Sequence, residues 1–376
     1  MKIVLERDVL ADGVAWTARA LPARPTVPVL AGIRMQAADE LVLSSFDYDV
    51  SAQATVPVST ERPGTALVSG RLLAEISRSL PAKPVHISAE DGRAVLTCGS
   101  ATFTLLTMPE EEYPALPEMP PAAGTIGSDA FATAVSQSAT AAGRDDTLPA
   151  LTGVRIEIEG DTLTLVSTDR YRLAVRELRW TPAHPDLTAA MLVPANALAD
   201  TARALTSGAQ VSIALALPGT EGSSGDGMIG FEGAGRRTTT RLLSGEFPRY
   251  QSLLPKTVNA AAELSVSVLS ESVKRVALVA ERNTPVRLAF SAGQLVLEAG
   301  TGDEAQAEEV IEAEFSGDDL SIAFNPQYLL DGLAAIDSDT VRISFTEPGK
   351  PALLTGKPGP DGNPEFRYLL MPIRLG

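Results

Sequence analysis

The chain has 376 residues, 44% of them apolar, and 31 basic against 47 acidic side chains give a net charge of −16. That length is too great for one ordinary core and predicts two or three domains. The early charges at Lys2, Glu6, Arg7 and Asp8 predict no signal peptide, no apolar run reaches the roughly 18 residues of a membrane helix, and one cysteine, Cys98, excludes an internal disulfide, so a soluble cytoplasmic protein is expected.

In chain order the elements recur in three copies. Each opens on a helical pattern: Leu10/Val14/Ala18/Leu21, then Phe131/Val135/Ala139, then Val273/Ala277/Ala280. A proline-bearing segment follows, Thr26-Val27-Pro28-Val29-Leu30-Ala31-Gly32-Ile33, echoed by Thr147-Leu148-Pro149-Ala150-Leu151-Thr152-Gly153-Val154 and more weakly by Thr284-Pro285-Val286-Arg287-Leu288. Strand pairs come next, as in Val154–Ile158 with Leu163–Leu165. A second helix then carries the stripes Leu72/Leu73/Ile76/Leu80, Leu198/Ala202/Leu205 and Leu329/Leu330/Leu333/Ile336. The last begins Asn325-Pro326, a good N-cap followed by proline at the first helical position. More strands close each copy, and Glu112-Tyr113-Pro114 is matched by Glu246-Phe247-Pro248. The pattern predicts an α+β chain of three similar domains, each with two helices and many antiparallel strands, over residues 1–121, 122–254 and 255–376.

Chemistry is sparse. Gly225-Asp226-Gly227-Met228-Ile229-Gly230 spells a dinucleotide fingerprint but lies between two strand-like runs, so it reads as part of the hairpin loop at 219–227. Two separate histidines and one cysteine supply no zinc site, no P-loop occurs, and no cofactor is expected. Asp47 and Asp49 would share one side of a strand and invite a hydrolase reading. Asp169 repeats the position in the second copy, but the third reads Ala299-Gly300, which favours carboxylates that cap nearby amides. No catalytic set emerges. The charge of −16 argues against affinity for nucleic acid, although a basic channel inside an acidic exterior would give the same sum.

Two segments stand out. Thr168-Asp169-Arg170-Tyr171-Arg172-Leu173 sets arginines around a tyrosine before an apolar strand, and the chain closes on Tyr368-Leu369-Leu370-Met371-Pro372-Ile373-Arg374-Leu375. Alone, the tail would be an edge strand anchored by Tyr368, Leu370 and Leu375, with Met371, Ile373 and Arg374 near a surface. Together with Arg24-Pro25-Thr26, Gly70-Arg71-Leu72, Phe247-Pro248, Tyr250 and Phe324-Asn325-Pro326 with Tyr328, they resemble the bacterial sliding clamp, the β subunit of DNA polymerase III. Gly143-Arg144-Asp145-Asp146-Thr147-Leu148-Pro149 is most similar to the actinobacterial branch.

The resemblance implies a head-to-tail homodimer, a six-domain ring around duplex DNA, with no enzymatic activity and a nucleoid-associated place in the cytoplasm. It implies a pocket for short Leu/Phe-bearing peptides of the replicative polymerase, clamp loader, ligase and mismatch-repair proteins. Its positions would be Leu151, Thr168, Arg170, Tyr171, Arg172, Leu173, Pro248, Leu253, Asn325, Tyr328, Met371, Pro372, Ile373 and Arg374. Arg24, Arg71, Arg78 and Arg203 would face DNA, and Phe103, Leu278 and Val279 would pack the dimer interface. Arg71, Glu75 and Arg78 are expected opposite Leu72, Leu73 and Ile76, or else tied up in ion pairs with Glu75. Arg170 stands where the family commonly has glycine, and the Pro/Gly-rich 347–351 segment is expected at the pocket rim. Both departures leave room for a specialised second clamp that evades an inhibitor.

Overall fold

The computed structural model describes residues 1–206, 208–218, 227–280, 284–300, 305–347, 349–358, 362 and 364–374. The first two residues of the Gly225–Gly230 run, Pro348 of the proline- and glycine-rich segment, and Leu375 and Gly376 lie outside them. Six α-helices are described: α1 (Arg7–Thr17), α2 (Gly70–Ser79), α3 (Ser128–Ala139), α4 (Ala195–Ala204), α5 (Val266–Val276) and α6 (Pro326–Ala335). They alternate with antiparallel strands in the order the repeats predict.

The chain forms two compact units. One holds Met1–Ala132, Trp180–Pro185 and Ala197–Leu242; the other holds Thr133–Arg179, Asp186–Asn196 and Leu243–Gly376. Each contains a nine-stranded sheet, and the two sheets share one internal plan. In the first unit the order is Gly64–Ser69, Gly32–Ala37, Glu40–Phe46, Val50–Pro57, Arg236–Arg241, Met228–Gly233, Gln210–Ala216, Ala122–Gly127 and Thr181–Pro182. In the second it is Thr188–Pro194, Gly153–Glu159, Thr162–Thr168, Arg172–Arg179, Phe366–Leu370, Ala352–Thr355, Thr340–Phe345, Ala260–Ser265 and Glu314–Ser316. Each sheet therefore joins strands of two successive repeats. A five-stranded sheet in the first unit and a four-stranded sheet in the second complete the β-structure named among the described residues.

Phe366–Leu370 is not the edge strand that its position at the chain end suggests. It lies inside the second sheet, paired on both sides, with Tyr368↔Ala174 and Tyr368↔Leu354 in register. Tyr368 and Leu370 are fully buried. The repeats also differ locally. Pro28–Ala31 and Pro149–Thr152 form single 3-10 turns before a strand, whereas in the third copy the strand Val286–Ser291 starts directly after Pro285.

Asp47 and Asp49 lie in a turn and not along a strand. Asp47 Oδ1 accepts the amides of Asp49 and Val50 at 3.0 and 2.6 Å, as Asp169 Oδ1 accepts those of Tyr171 and Arg172, both at 3.0 Å. Both carboxylates are turn caps, as the repeat comparison favoured. At the described end of the Gly225–Gly230 run, Gly227 (φ 91°) leads into the strand Met228–Gly233 and not into a helix, which removes the nucleotide geometry.

Candidate functional site

A cavity of about 580 Å³ opens in the second unit, within the size range of ligand sites. Three segments build it. The turn between the strands Thr162–Thr168 and Arg172–Arg179 supplies Asp169, Arg170, Tyr171 and Arg172; α6 supplies Gln327, Tyr328 and Asp331; and 142–151 supplies Gly143, Arg144, Asp145, Leu148 and Leu151.

Arg172 is the centre of the floor, only 6% exposed. Its Nε donates to Asp169 Oδ2 at 2.9 Å and its Nη1 to Asp331 Oδ2 at 2.6 Å. Its guanidinium carbon lies 4.3 Å from the centre of the Tyr328 ring, a cation–π distance. Burial alone would weaken its hold on the proton; Tyr368, Asp331 and Asp169 outweigh burial, and its pKa moves up. Burial in turn raises the Tyr368 and Tyr328 phenols above their ordinary value. Arg172 is thus held by two carboxylates of the chain while it lines the cavity.

Helix α6 is set in place from its first turn. Asn325 Oδ1 accepts the amides of Gln327 and Tyr328 at 2.9 and 3.2 Å, and Pro326 occupies the position where a missing N–H costs nothing. That oxygen serves the helix and not a ligand. Asn325→Ala is expected to lower stability by about 1 kcal/mol, measurable as a shifted denaturation midpoint.

The remaining expected positions divide into support and surface. Thr168 is buried, and its hydroxyl donates to the Arg172 carbonyl at 2.7 Å while accepting the Arg170 amide at 3.1 Å. Leu173 is 2% exposed and packs with Val166, Val175, Tyr250 and Leu369. Its parity is opposite to that of Ala174, which is buried in the main core of the second unit, so both faces of this strand are covered. Pro248 is exposed and Pro372 half-buried. Leu253, Met371 and Ile373 are 49%, 41% and 37% exposed, with Arg374 exposed beside them. The tail is nonetheless anchored: the Met371 amide donates to Tyr171 O and that of Ile373 to Ala323 O, both at 2.8 Å. Of the expected residues, Leu151, Arg170, Tyr171, Arg172 and Tyr328 line the cavity. Arg144, Leu148, Gln327 and Asp331 were missed, although the 143–149 motif had already drawn attention as a branch marker.

The other expected surfaces lie elsewhere. Arg24, Arg71 and Arg78 are exposed, and Arg71 Nη2 donates to Ala23 O at 2.8 Å. Neither Arg71 nor Arg78 pairs with Glu75 among the described residues. Leu72 is 50% exposed, contrary to the helical-face expectation, because α2 buries Gly70, Leu73, Ala74 and Ser77. Arg203 pairs with Asp200 at 3.1 Å. Leu278 is 84% exposed, whereas Val279 packs against the core and Phe103 is half-buried. Leu106, on the strand of Phe103, is 73% exposed and escaped sequence reasoning.

Residues 1–117, 125–249 and 251–374 match the N-terminal, central and C-terminal domains of the DNA polymerase III beta subunit family. The beta sliding clamp of Streptomyces coelicolor is 60% identical over the full length of both chains. The beta sliding clamp homolog GriR of Streptomyces muensis is 41% identical, again over both full lengths. Among solved structures, the Pseudomonas aeruginosa sliding clamp bound to griselimycin superposes with a TM-score of 0.90 at 27% identity, each chain fully covered. With three matched domains in family order and full-length relatives well above the level at which a family is shared, the chain belongs to the DNA polymerase III beta subunit family, the beta sliding clamps, which are non-catalytic processivity factors.

Proposed function

We propose that the chain acts as the replicative sliding clamp of its cell: two copies close head to tail around duplex DNA and tether a polymerase and other replication and repair proteins. The observation that carries the tethering reading is the cavity beside the anchored Met371 segment, with apolar walls at Leu148, Leu151 and Tyr171 over a fixed Arg172. Retention on DNA would be topological. Few phosphate contacts are then needed, and Arg24, Arg71, Arg78 and Arg203 suffice as a modest basic lining beneath an overall charge of −16. Phe103, Leu278 and Val279, joined by Leu106, are the proposed dimer contacts. A specialised, inhibitor-evading copy is the second reading, motivated by the 41% likeness to GriR; the 60% likeness to the S. coelicolor clamp favours the ordinary one.

The test is titration of a fluorescent Gln-Leu-x-Leu-Phe peptide against the full-length protein. Met371→Ala and Leu253→Ala suit it better than Leu173→Ala, which would open a core cavity costing about 2–5 kcal/mol. Each exposed variant is expected to weaken binding by about tenfold, roughly 1.4 kcal/mol, with an unchanged denaturation midpoint. A well-folded protein that binds no such peptide would refute the tethering role.

A further inference from the structure

The second unit holds another, smaller cavity of about 180 Å³, bordered by α3, the strand Arg172–Arg179 and the residues that follow α6. Gln137, on α3, is 5% exposed. Its Nε2 donates to Ala335 O at 2.8 Å, which fixes the orientation of the amide and leaves Oε1 buried without a partner among the described residues. Arg176 Nη2 pairs with Glu365 Oε2 at 2.6 Å, whereas its Nε is likewise buried and unpaired. An unpaired acceptor and an unpaired donor thus belong to the wall of one cavity, and each costs free energy until something pairs with it.

The first unit fills the corresponding place with a side chain. Ser45 Oγ donates to Thr17 O as Ser167 Oγ does to Ser138 O, so Trp16 occupies the position that Gln137 has in the next repeat. At the end of α4 the Ala204 carbonyl accepts from Arg236 Nη1, as the Ala335 carbonyl at the end of α6 accepts from Gln137. Trp16 is 3% exposed, and its Nε1 donates to Gln53 O at 2.8 Å. The guanidinium carbons of Arg19 and Arg236 lie 6.0 and 5.8 Å from the centre of its ring. A flat ring with an N–H, set beside arginines, therefore closes this place in the first unit, and the shorter Gln137 leaves it open in the second.

We infer that the smaller cavity is a second binding site, which takes a free, neutral, flat ligand of one ring with an N–H beside a carbonyl, the lactam edge that a pyrimidine base presents. The ligand N–H donates to Gln137 Oε1, and its carbonyl accepts from Arg176 Nε. Neutrality follows from the wall, where Arg176 and Lys357 are matched by Asp337 and Glu365, so a charged guest would go unbalanced. Size follows from the volume, since a cavity of about 150 Å³ admits benzene. Ile336, Pro358 and Phe366 supply apolar surface for the faces of the ring.

The experiment titrates uracil against the full-length protein by saturation-transfer NMR, with benzene as a ring of similar size that lacks both polar groups. Uracil is expected to bind with millimolar affinity, and benzene about tenfold more weakly or not at all. Arg176→Lys keeps the charge and removes Nε, and should weaken uracil about three- to tenfold. Gln137→Trp restores the indole of the first unit to this place and should abolish uracil binding. If that variant does not fold, Arg176→Lys alone decides. Uracil that binds no better than benzene, or binds the folded variants as it binds the unaltered protein, would overturn the proposal. Peptide binding at the larger cavity is measured on the same samples, so either reading can fail without the other.

Discussion

Arg172→Ala is expected to destabilise the second unit by about 3–5 kcal/mol, the usual cost of removing one member of a buried ion pair. Arg172 is 6% exposed, and its side chain contacts two carboxylates and a tyrosine ring. Without it, Asp169 and Asp331 lose their shared counter-charge in a partly buried site. Residues 162–179 and 326–335 should lose hydrogen-exchange protection together, and the peptide should no longer bind. Arg172→Lys should recover only part of the loss, because an ammonium cannot reach both acids with a planar fork. Adding Asp331→Asn to Arg172→Ala should cost less than the sum of the single changes, since each acts on the same network. A denaturation midpoint equal to that of the unaltered protein would show that the network contributes nothing to stability.

Gly332→Ala is expected to cost about 2 kcal/mol net, with overpacking outweighing the better helix propensity of alanine. An added β-carbon would lie 2.4 Å from Cε1 and 2.5 Å from Cδ1 of Tyr368. That ring has no room to withdraw: Tyr368 is fully buried, and its hydroxyl donates to Tyr328 O at 2.8 Å. Relief must come from a shift of α6, which also carries Tyr328 and Asp331, so peptide affinity should fall with stability. Gly127→Ala is the control, since a β-carbon there meets nothing within 4 Å; its effect should stay within about 0.5 kcal/mol. Equal midpoints for the two variants would show that α6 does not depend on close approach to Tyr368.

Local signals carried much of the architecture. The i, i+3, i+4 stripes located five of the six helices, while the Val273/Ala277/Ala280 stripe meets α5 only at Val273; Asn325-Pro326 marked the start of α6 because capping is a short-range interaction. The turn at Asp169 was legible through its counterpart at Asp47, since both carboxylates bond amides two and three residues on. Less of the site could be read. Leu72 lies on a stripe of correct period, yet a ten-residue helix buries only a narrow face, and spacing alone put Leu72 on the wrong side of its edge. Leu173 is 2% exposed, and a segment pattern does not distinguish the residue that touches a ligand from the one that supports it.

The sequence by itself determined the threefold repeat, the order of helices and antiparallel strands, the capped turns and the membership of the clamp family. Tertiary structure decided that Phe366–Leu370 is an interior strand, that Arg172 is paired with two carboxylates, and that Arg144 and Arg170 are exposed at the cavity. The physical reason is range. Periodicity and capping act over a few residues, whereas the Arg172–Asp331 contact spans 159 positions. The charges in the cavity are balanced in number, and only the folded geometry determines which of them are already paired.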